Sequence, residues 1–303
     1  MDGNCASGST VHGRSNDPMI PRKKFRLRTP AGTLALGERT LIMAVLNVTP
    51  DSFSDGGQFF DPQKAIAHAL ACERAGADIL DIGGESTRPG SQGASAEEEI
   101  SRVLPVLEGL RKRLKIPISL DTQKSKVAEA GLKMGVAMLN DVTGLRAEPG
   151  LAALARRYRV PMVLMHMRGE PRTMQQGPFA RDVVRDVLAG LRQALARARK
   201  AGLSASQVIL DPGIGFGKNY AQNFELLAHL PELAKLGRPI LIGTSRKAFL
   251  GHVLSGAPED QRSWATAATV TASILGGAHI VRVHDVAEML QVARAADRIV
   301  AAR

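Results

Sequence analysis

Eight apolar, β-rich runs, each ending on a polar or charged residue, predict an α/β fold: a closed (β/α)8 barrel. Three observations carry this reading. The runs recur in regular order: LIMAVLN to Asn47, DILDIGGE around Asp81, PISLD to Asp121, VAMLND at Asn140, PMVLMHM around His166, QVILDPG at Asp211, PILIGTSRK to Lys247, and HIVRVHD with Arg282 and His284. They are continuous rather than alternating, as expected of parallel strands buried on both faces. Each but the last is followed by a helix-compatible stretch before the next begins. Active sites of this fold sit at the C-terminal strand ends, so one pattern gives both the architecture and the candidate site residues.

The elements follow in chain order. Residues 1–22 are rich in Gly, Ser and Asn and read as a disordered tail; residues 23–303 read as one domain. Within 25–40, FRLRTPAGTLALGERT alternates weakly around Pro-Ala-Gly and predicts a short β-hairpin plugging the barrel floor. Asp61 before Pro62 marks a helix start. Ser95 with Glu98, and Asp285 with Glu288, fit capping boxes. Residues 179–201 predict a long, Arg-rich amphipathic helix. Beyond the strand–helix alternation there is no internal repeat and no sign of a second domain.

Composition narrows the function classes. A chain of 303 residues fits one barrel plus a tail, the fold typically needing ~250 residues. No apolar run approaches the ~20 residues that span a membrane, so no membrane partner is expected. The N-terminus lacks the apolar core of a secretory signal. Cys5 and Cys72 are the only cysteines, which argues against a disulfide scaffold and for a reducing cytoplasm. The net charge of +11 is either a solvated basic surface or a field that draws in anionic ligands. With 2 Tyr and 1 Trp there is no aromatic–basic interleaving of the stacking type, so nucleic acid is not an expected partner.

The strand ends carry the candidate chemistry. NVTPDSFSDGG, residues 47–57, is a long polar loop with a lone aromatic, Phe53, and reads as a lid over the mouth. Asn47 either offers its amide oxygen to Mg²⁺ or a phosphate, or simply caps the strand. In GGESTRPG, residues 83–90, Thr87 and Arg88 supply a hydroxyl and a guanidinium, both good anion ligands, although a loop Arg is more often solvated. Asp121, Asn140 and Asp211 end three strands. Together they are costly to bury unless a ligand satisfies them, and they match a heterocycle with a row of N–H donors. Two carboxylates also suit glycoside hydrolysis, but neither is a Glu in the apolar setting that a general acid needs. DPGIGFGK, residues 211–218, lacks the dinucleotide fingerprint and reads as a flexible loop presenting Phe216 to a flat ring. Arg246 and Lys247 after the seventh run, with Arg282 and His284 at the eighth, occupy the recurrent phosphate site of barrels. His284 is alternatively a general base, and the group alternatively a plain surface cation cluster. The remaining histidines read as structural or solvated, lying in the tail or on helix-like stretches. No Ser-His-Asp elbow, HExxH or CxxC is present.

Taken together, NVTPDSFSDGG, DIGGESTRPG, LND at 139–141, HMRGEPRTMQ, DPGIGFGK, SRK and RVHD, in this order, resemble the dihydropteroate synthases of folate biosynthesis, a pterin-binding family. The resemblance runs from about residue 41 to 300. It implies a TIM barrel, a homodimer, and a Mg²⁺-dependent transferase reaction. That reaction joins 6-hydroxymethyl-7,8-dihydropterin diphosphate to 4-aminobenzoate and releases pyrophosphate; both substrates are small molecules. It places the pterin ligands on Asp121, Asn140, Met165, Asp211 and Lys247. It places the diphosphate ligands on Asn47, Thr87, Arg88, Arg282 and His284, with Asn47 also holding the metal. The aminobenzoate pocket falls on Phe53, Thr87, Pro89, Phe216 and Lys247, and the catalytic set on Lys247, Arg282 and Asp121. Ala248 replaces a Ser carried by many members after SRK. The first two loops keep the ordinary family form, which implies a sulfonamide target.

The implied chemistry agrees with the residues. Both substrates are anionic, and the chain is basic. An electron-rich pterin stabilises positive charge on its exocyclic methylene, so a dissociative, SN1-like path needs no activated nucleophile, and no triad is present. Two other readings remain at this point. A pterin-binding methyltransferase domain shares the Asp/Asn/Asp pocket but has no use for a diphosphate site. A catalytically dead, RNA-binding barrel predicts substitutions at Asp121, Asn140 or Lys247, and none is seen.

Overall fold

The computed structural model describes residues 22–49, 52, 61–86, 91, 93–170 and 172–302. A hairpin of β1 (Phe25–Thr29) and β2 (Gly32–Leu36) precedes β3 (Leu41–Asn47). Then follow α1 (Pro62–Arg74), β4 (Ile79–Gly83), α2 (Ala96–Leu110), β5 (Ile118–Asp121), α3 (Ser125–Lys133), β6 (Met138–Asp141), α4 (Gly150–Tyr158) and β7 (Met162–Met165). The second half runs α5 (Val183–Lys200), β8 (Val208–Asp211), α6 (Tyr220–Ala228), α7 (Leu230–Ala234), β9 (Leu241–Ile242), α8 (Ala248–Val253), α9 (Ser263–Leu275), β10 (Ile280–Val283) and α10 (Val286–Ala301).

The eight strands from β3 onward pair in parallel in the order β8-β7-β6-β5-β4-β3-β10-β9. A bridge between Leu210 and Ile240, with Leu210 N–H donating to Pro239 O at 2.9 Å, joins the two edges and closes the barrel. The predicted (β/α)8 barrel is therefore the observed fold. Side chains alternate across each strand. One set, such as Ile42, Ala44, Leu46, Leu80, Ile82 and Leu120, packs outward against the helices. The other set points into the barrel. At its floor lie Met43, Ile79, Met138, Val163, Ile209, Leu241 and Ile280.

The hairpin closes that floor, as its weak alternation predicts. Phe25 pairs with Leu36 and Leu27 with Leu34, so the four apolar side chains share one face. Leu27 and Leu36 are each 1% exposed and pack on the inner floor layer. The turn needs Gly32, whose φ of +129° disfavours any L side chain. Arg22, which the sequence places at the end of the tail, is tied down. It donates to Thr40 Oγ1 at 2.7 Å and pairs with Asp297 at 2.5 Å. His279 lies just before β10 rather than on a helix. Its Nδ1 accepts from Ile240 N–H at 3.1 Å and its Nε2–H donates to Lys23 O at 2.9 Å, and burial lowers its pKa to about 4. Leu36→Ala should cost ~2–5 kcal/mol through lost burial and a residual cavity. Chemical denaturation would measure it. Ligand affinity should not change, because the floor is the far end from the mouth.

Three helix starts test the capping signals. Asp61 accepts from Gln63 N–H at 2.8 Å, with Pro62 opening α1. Ser95 and Glu98 form the predicted box at α2, at 3.1 and 2.7 Å. The box at Asp285 does not form. Its carboxylate instead takes the forked guanidinium of Arg246, a charge-assisted contact stronger than one to a backbone N–H. Helix α5 begins at Val183, four residues after the expected 179, because Asp182 caps it through Arg185 N–H at 2.9 Å.

Candidate active site at the barrel mouth

Moving two residues along a strand moves one layer up the barrel interior, and here the chemistry changes. The floor residues Ile79, Met138, Ile209 and Ile280 are succeeded by Asp81, Asn140, Asp211 and Arg282. The inward face is thus apolar below and charged at the mouth. Strand register sets the neighbours: Asp81 lies beside Ser119, Asp121 beside Asn140, and Met165 beside Asp211.

Arg282 organises one side. Its Nε donates to Asp81 Oδ2 at 2.6 Å and its Nη2 to Asp121 Oδ2 at 3.1 Å. Asn140 Nδ2 donates to the same Asp81 oxygen at 3.0 Å. Burial opposes the charge on Arg282, but the Asp81 and Asp121 carboxylates outweigh it and raise its pKa. Burial, reinforced by Asp81 and opposed by Arg282, raises the pKa of Asp121. Breaking such a buried ion set from one side leaves an uncompensated charge, which typically costs ~3–5 kcal/mol.

Asp211 organises the other side. It is 7% exposed, and its Oδ1 accepts from Gly213 N–H at 2.7 Å. Burial raises its pKa, against the pull of Lys247. Lys247 is lowered to about 8, by burial and despite Asp211. Its Nζ donates to Ile214 O and lies 4.8 Å above the Phe216 ring. Met165, Val142, Met167 and Met174 form a buried apolar cluster against which Phe216 packs. Asp121 Oδ1, Asn140 Oδ1 and Asp211 Oδ2 accept from no described residue, yet none is sealed from solvent. Three acceptor oxygens thus face the open mouth beside an apolar and aromatic wall.

The loop of Phe216 is not built for flexibility. Gly213, Gly215 and Gly217 all have positive φ. A Cβ on Gly213 or Gly217 would fall 1.9 Å from His166 O or 2.1 Å from Arg168 O, so these glycines allow two loops to pack closely. Beneath them Lys218 is 1% exposed. Its Nζ donates to Phe216 O at 2.9 Å and to His166 Nδ1 at 3.1 Å. Burial lowers Lys218 to about 7 and His166 to about 3, so the imidazole is a neutral acceptor.

A further group of polar side chains lies at β10 and β3. His284 follows β10, and its backbone N–H and Nδ1 both contact Ser245 Oγ, at 3.2 and 3.0 Å. The amide of Asn47, half-buried at the end of β3, makes no hydrogen bond among the described residues. Arg246, with φ +59°, turns to Asp285 and away from the site. Phe53, Thr87, Arg88, Pro89 and most of the expected lid lie outside the described residues. From sequence, Asp81 and His166 are named at strand ends but given no role, and Lys218 and Ser245 are not singled out. Asp81 had a usable signal: it stands two residues after inward Ile79, in phase with the polar layer.

A protein-family model of pterin binding enzymes matches residues 43–284. The dihydropteroate synthase of Synechocystis sp. is 46% identical over 263 residues, 87% of this chain and 91% of that protein. This chain belongs to the dihydropteroate synthase family. Solved structures of dihydropteroate synthases agree. That of Yersinia pestis, in a sulfonamide drug complex, is 40% identical with a TM-score of 0.86, covering 92% of this chain and 100% of that one. That of Xanthomonas albilineans, with 4-aminobenzoic acid, is 41% identical with a TM-score of 0.85, covering 91% and 98%. In this member of the dihydropteroate synthase family, the inward acceptor oxygens of Asp121, Asn140 and Asp211 are left without a partner among the described residues.

Proposed function

We infer that this chain condenses 6-hydroxymethyl-7,8-dihydropterin diphosphate with 4-aminobenzoate to give 7,8-dihydropteroate and pyrophosphate. The observation that carries this is the inward polar layer of Asp121, Asn140 and Asp211, with Lys247, beside Arg282 and His284 at the last strand. Asp121, Asn140 and Asp211 accept from the N–H edge of the pterin, Lys247 donates to it, and Met165 forms an apolar wall. Arg282 and His284 bind the diphosphate. The C–O bond between the methylene and the diphosphate breaks, and its electron pair leaves with pyrophosphate. The pterin ring carries the resulting positive charge. The amine nitrogen of 4-aminobenzoate, lying over Phe216 and beside Lys247, then forms the C–N bond and loses a proton to solvent. Preorganised cations at the leaving group stabilise the charge it gains. Thr87, Arg88, Phe53 and Pro89 complete the diphosphate and aminobenzoate sites in this proposal. Sulfonamides fill the aminobenzoate slot.

No cluster of three or more His, Cys, Asp or Glu suited to a metal occurs among the described residues. Mg²⁺ needs no such cluster, because it usually keeps several waters and takes much of its coordination from substrate phosphates. Asn47 would hold it, and when bound it supplies charge neutralisation to the diphosphate. No described helix is long and apolar enough to cross a membrane. With Cys72 free and buried, we assign the protein to the cytoplasm. It acts as a homodimer; exposed Tyr220, Phe224, Val253 and Trp264 on the neighbouring helices α6, α8 and α9, with Leu254 just past the end of α8, support that assignment.

Protonation gives a check. N–H donors of a pterin favour ionised Asp121, whose free pKa is raised, so binding releases a proton. Affinity for a pterin lacking the diphosphate should therefore rise as pH increases from 6. It should fall again above about pH 8, where Lys247 loses its charge. Asp121→Asn should flatten the rise and Lys247→Met the fall, read by fluorescence titration. An affinity independent of pH would remove both groups from the contact. For the reaction itself, calorimetry with pterin diphosphate and Mg²⁺ should give saturable binding to the wild-type protein, and aminobenzoate should bind afterwards. No heat with either ligand would contradict the proposal.

A further inference from the structure

Asp81 belongs to the same polar layer as Asn140 and Asp211 but is fully buried, and no role for it follows from contact with substrate. Its Oδ2 accepts from both Arg282 Nε at 2.6 Å and Asn140 Nδ2 at 3.0 Å. We propose that Asp81 is a positioning residue that determines specificity: it fixes the Asn140 amide with its oxygen toward the ligand, and so makes that wall an acceptor of the heterocycle's N–H edge. This rests on the pterin reading above.

The argument is one of hydrogen-bond direction. An amide offers a donor at one end and an acceptor at the other, and its surroundings decide which end faces where. A carboxylate beside a guanidinium is an acceptor only. Turning the Asn140 oxygen toward Asp81 would set acceptor against acceptor in a buried place, with a penalty of the order of a lost hydrogen bond. The other end therefore faces the mouth, and Asn140 Oδ1 is indeed open there and accepts from no described residue. Asp121 and Asp211 present oxygens to the same space. With Asn140 held this way, all three strand ends accept, and a ring carrying an acceptor where a pterin carries an amino group meets unpaired oxygens. Were the amide free to turn, one of the three would become a donor and the preference would weaken.

Asp81 is not a carboxylate kept for stability alone. Its Oδ1 has no partner among the described residues, and neither does Ser119 Oγ beside it. Buried polar atoms are usually satisfied. A site selected only to stabilise the barrel would do as well with an apolar residue, as the floor layer does directly below.

The test compares two flat probes: 2-amino-4-oxopteridine and 2,4-dioxopteridine, which replaces the amino donor by an oxygen. Wild-type protein should prefer the first. Asp81→Asn is isosteric and presents the Asn140 amide with both a donor and an acceptor, so the preference should shrink by about tenfold. Exchanging the two groups, Asp81→Asn together with Asn140→Asp, rebuilds the donor–acceptor contact and returns an oxygen to the mouth. The preference should then recover, which a purely structural role for Asp81 does not predict. Circular dichroism monitors folding, and if the single variant does not fold the exchanged pair carries the test. A folded Asp81→Asn with the wild-type ratio, or a folded exchanged pair without it, overturns the inference while the function stands. Failure of the wild-type protein to bind the aminopteridine overturns the function and this inference together.

Discussion

Asp211→Ala is expected to abolish measurable binding of the pterin diphosphate while the barrel stays folded. Asp211 projects an open carboxylate oxygen into the mouth from the C-terminal end of β8, and its other oxygen holds Gly213 N–H at 2.7 Å. Loss of one charge-assisted hydrogen bond typically costs ~1.5–3 kcal/mol. Lys247 and Lys218 would also lose the carboxylate that favours their charged forms. The buried Lys247 ammonium would then shed its proton more readily, and a second ligand contact would weaken with the first. At ~1.4 kcal/mol per decade, two such losses remove ~10²–10⁴ in affinity. Asp211→Asn keeps the shape and should show a smaller loss. Unchanged affinity by calorimetry would take Asp211 out of the pocket.

Arg282→Ala should have the largest effect on turnover. Removing one preorganised stabiliser of developing charge often costs ~10²-fold in kcat. Inhibition by free pyrophosphate should weaken in parallel. The variant should also lose stability, because Asp81 and Asp121 would remain as buried carboxylates without their shared cation. The sign with pH follows. Asp121, already raised, would be raised further, so it binds its proton more tightly when folded than when unfolded. Its contribution is present in acid and is lost as pH rises through the folded value. With the folded value already about 8 in the wild type, Arg282→Ala should therefore melt closer to wild type at pH 7 than at pH 9. Arg282→Lys, which keeps the charge and loses the fork, should recover stability better than kcat. Wild-type inhibition by pyrophosphate in Arg282→Ala would place the anion site elsewhere.

The barrel was legible because parallel strands buried on both faces leave continuous apolar runs, and each run ends where the mouth begins. Asp121, Asn140, Asp211, Lys247, Arg282 and His284 could be named for that reason. Asp285 misled because a capping box and an ion pair use the same carboxylate, and only tertiary structure puts Arg246 beside it. Lys218 was hidden because nothing local distinguishes a buried lysine from a solvated one; its partners, His166 and Phe216 O, come from two different loops. The glycines of DPGIGFGK suggested flexibility, whereas the need they meet is the close approach of a neighbouring backbone.

The most direct measurement is of the product. Purified protein, incubated with 6-hydroxymethyl-7,8-dihydropterin diphosphate, 4-aminobenzoate and Mg²⁺, should form 7,8-dihydropteroate and pyrophosphate in equal amounts, with dihydropteroate detected by mass. Asp211→Ala, in the same assay, should form none. Wild-type protein that binds both substrates but yields no dihydropteroate would contradict the account.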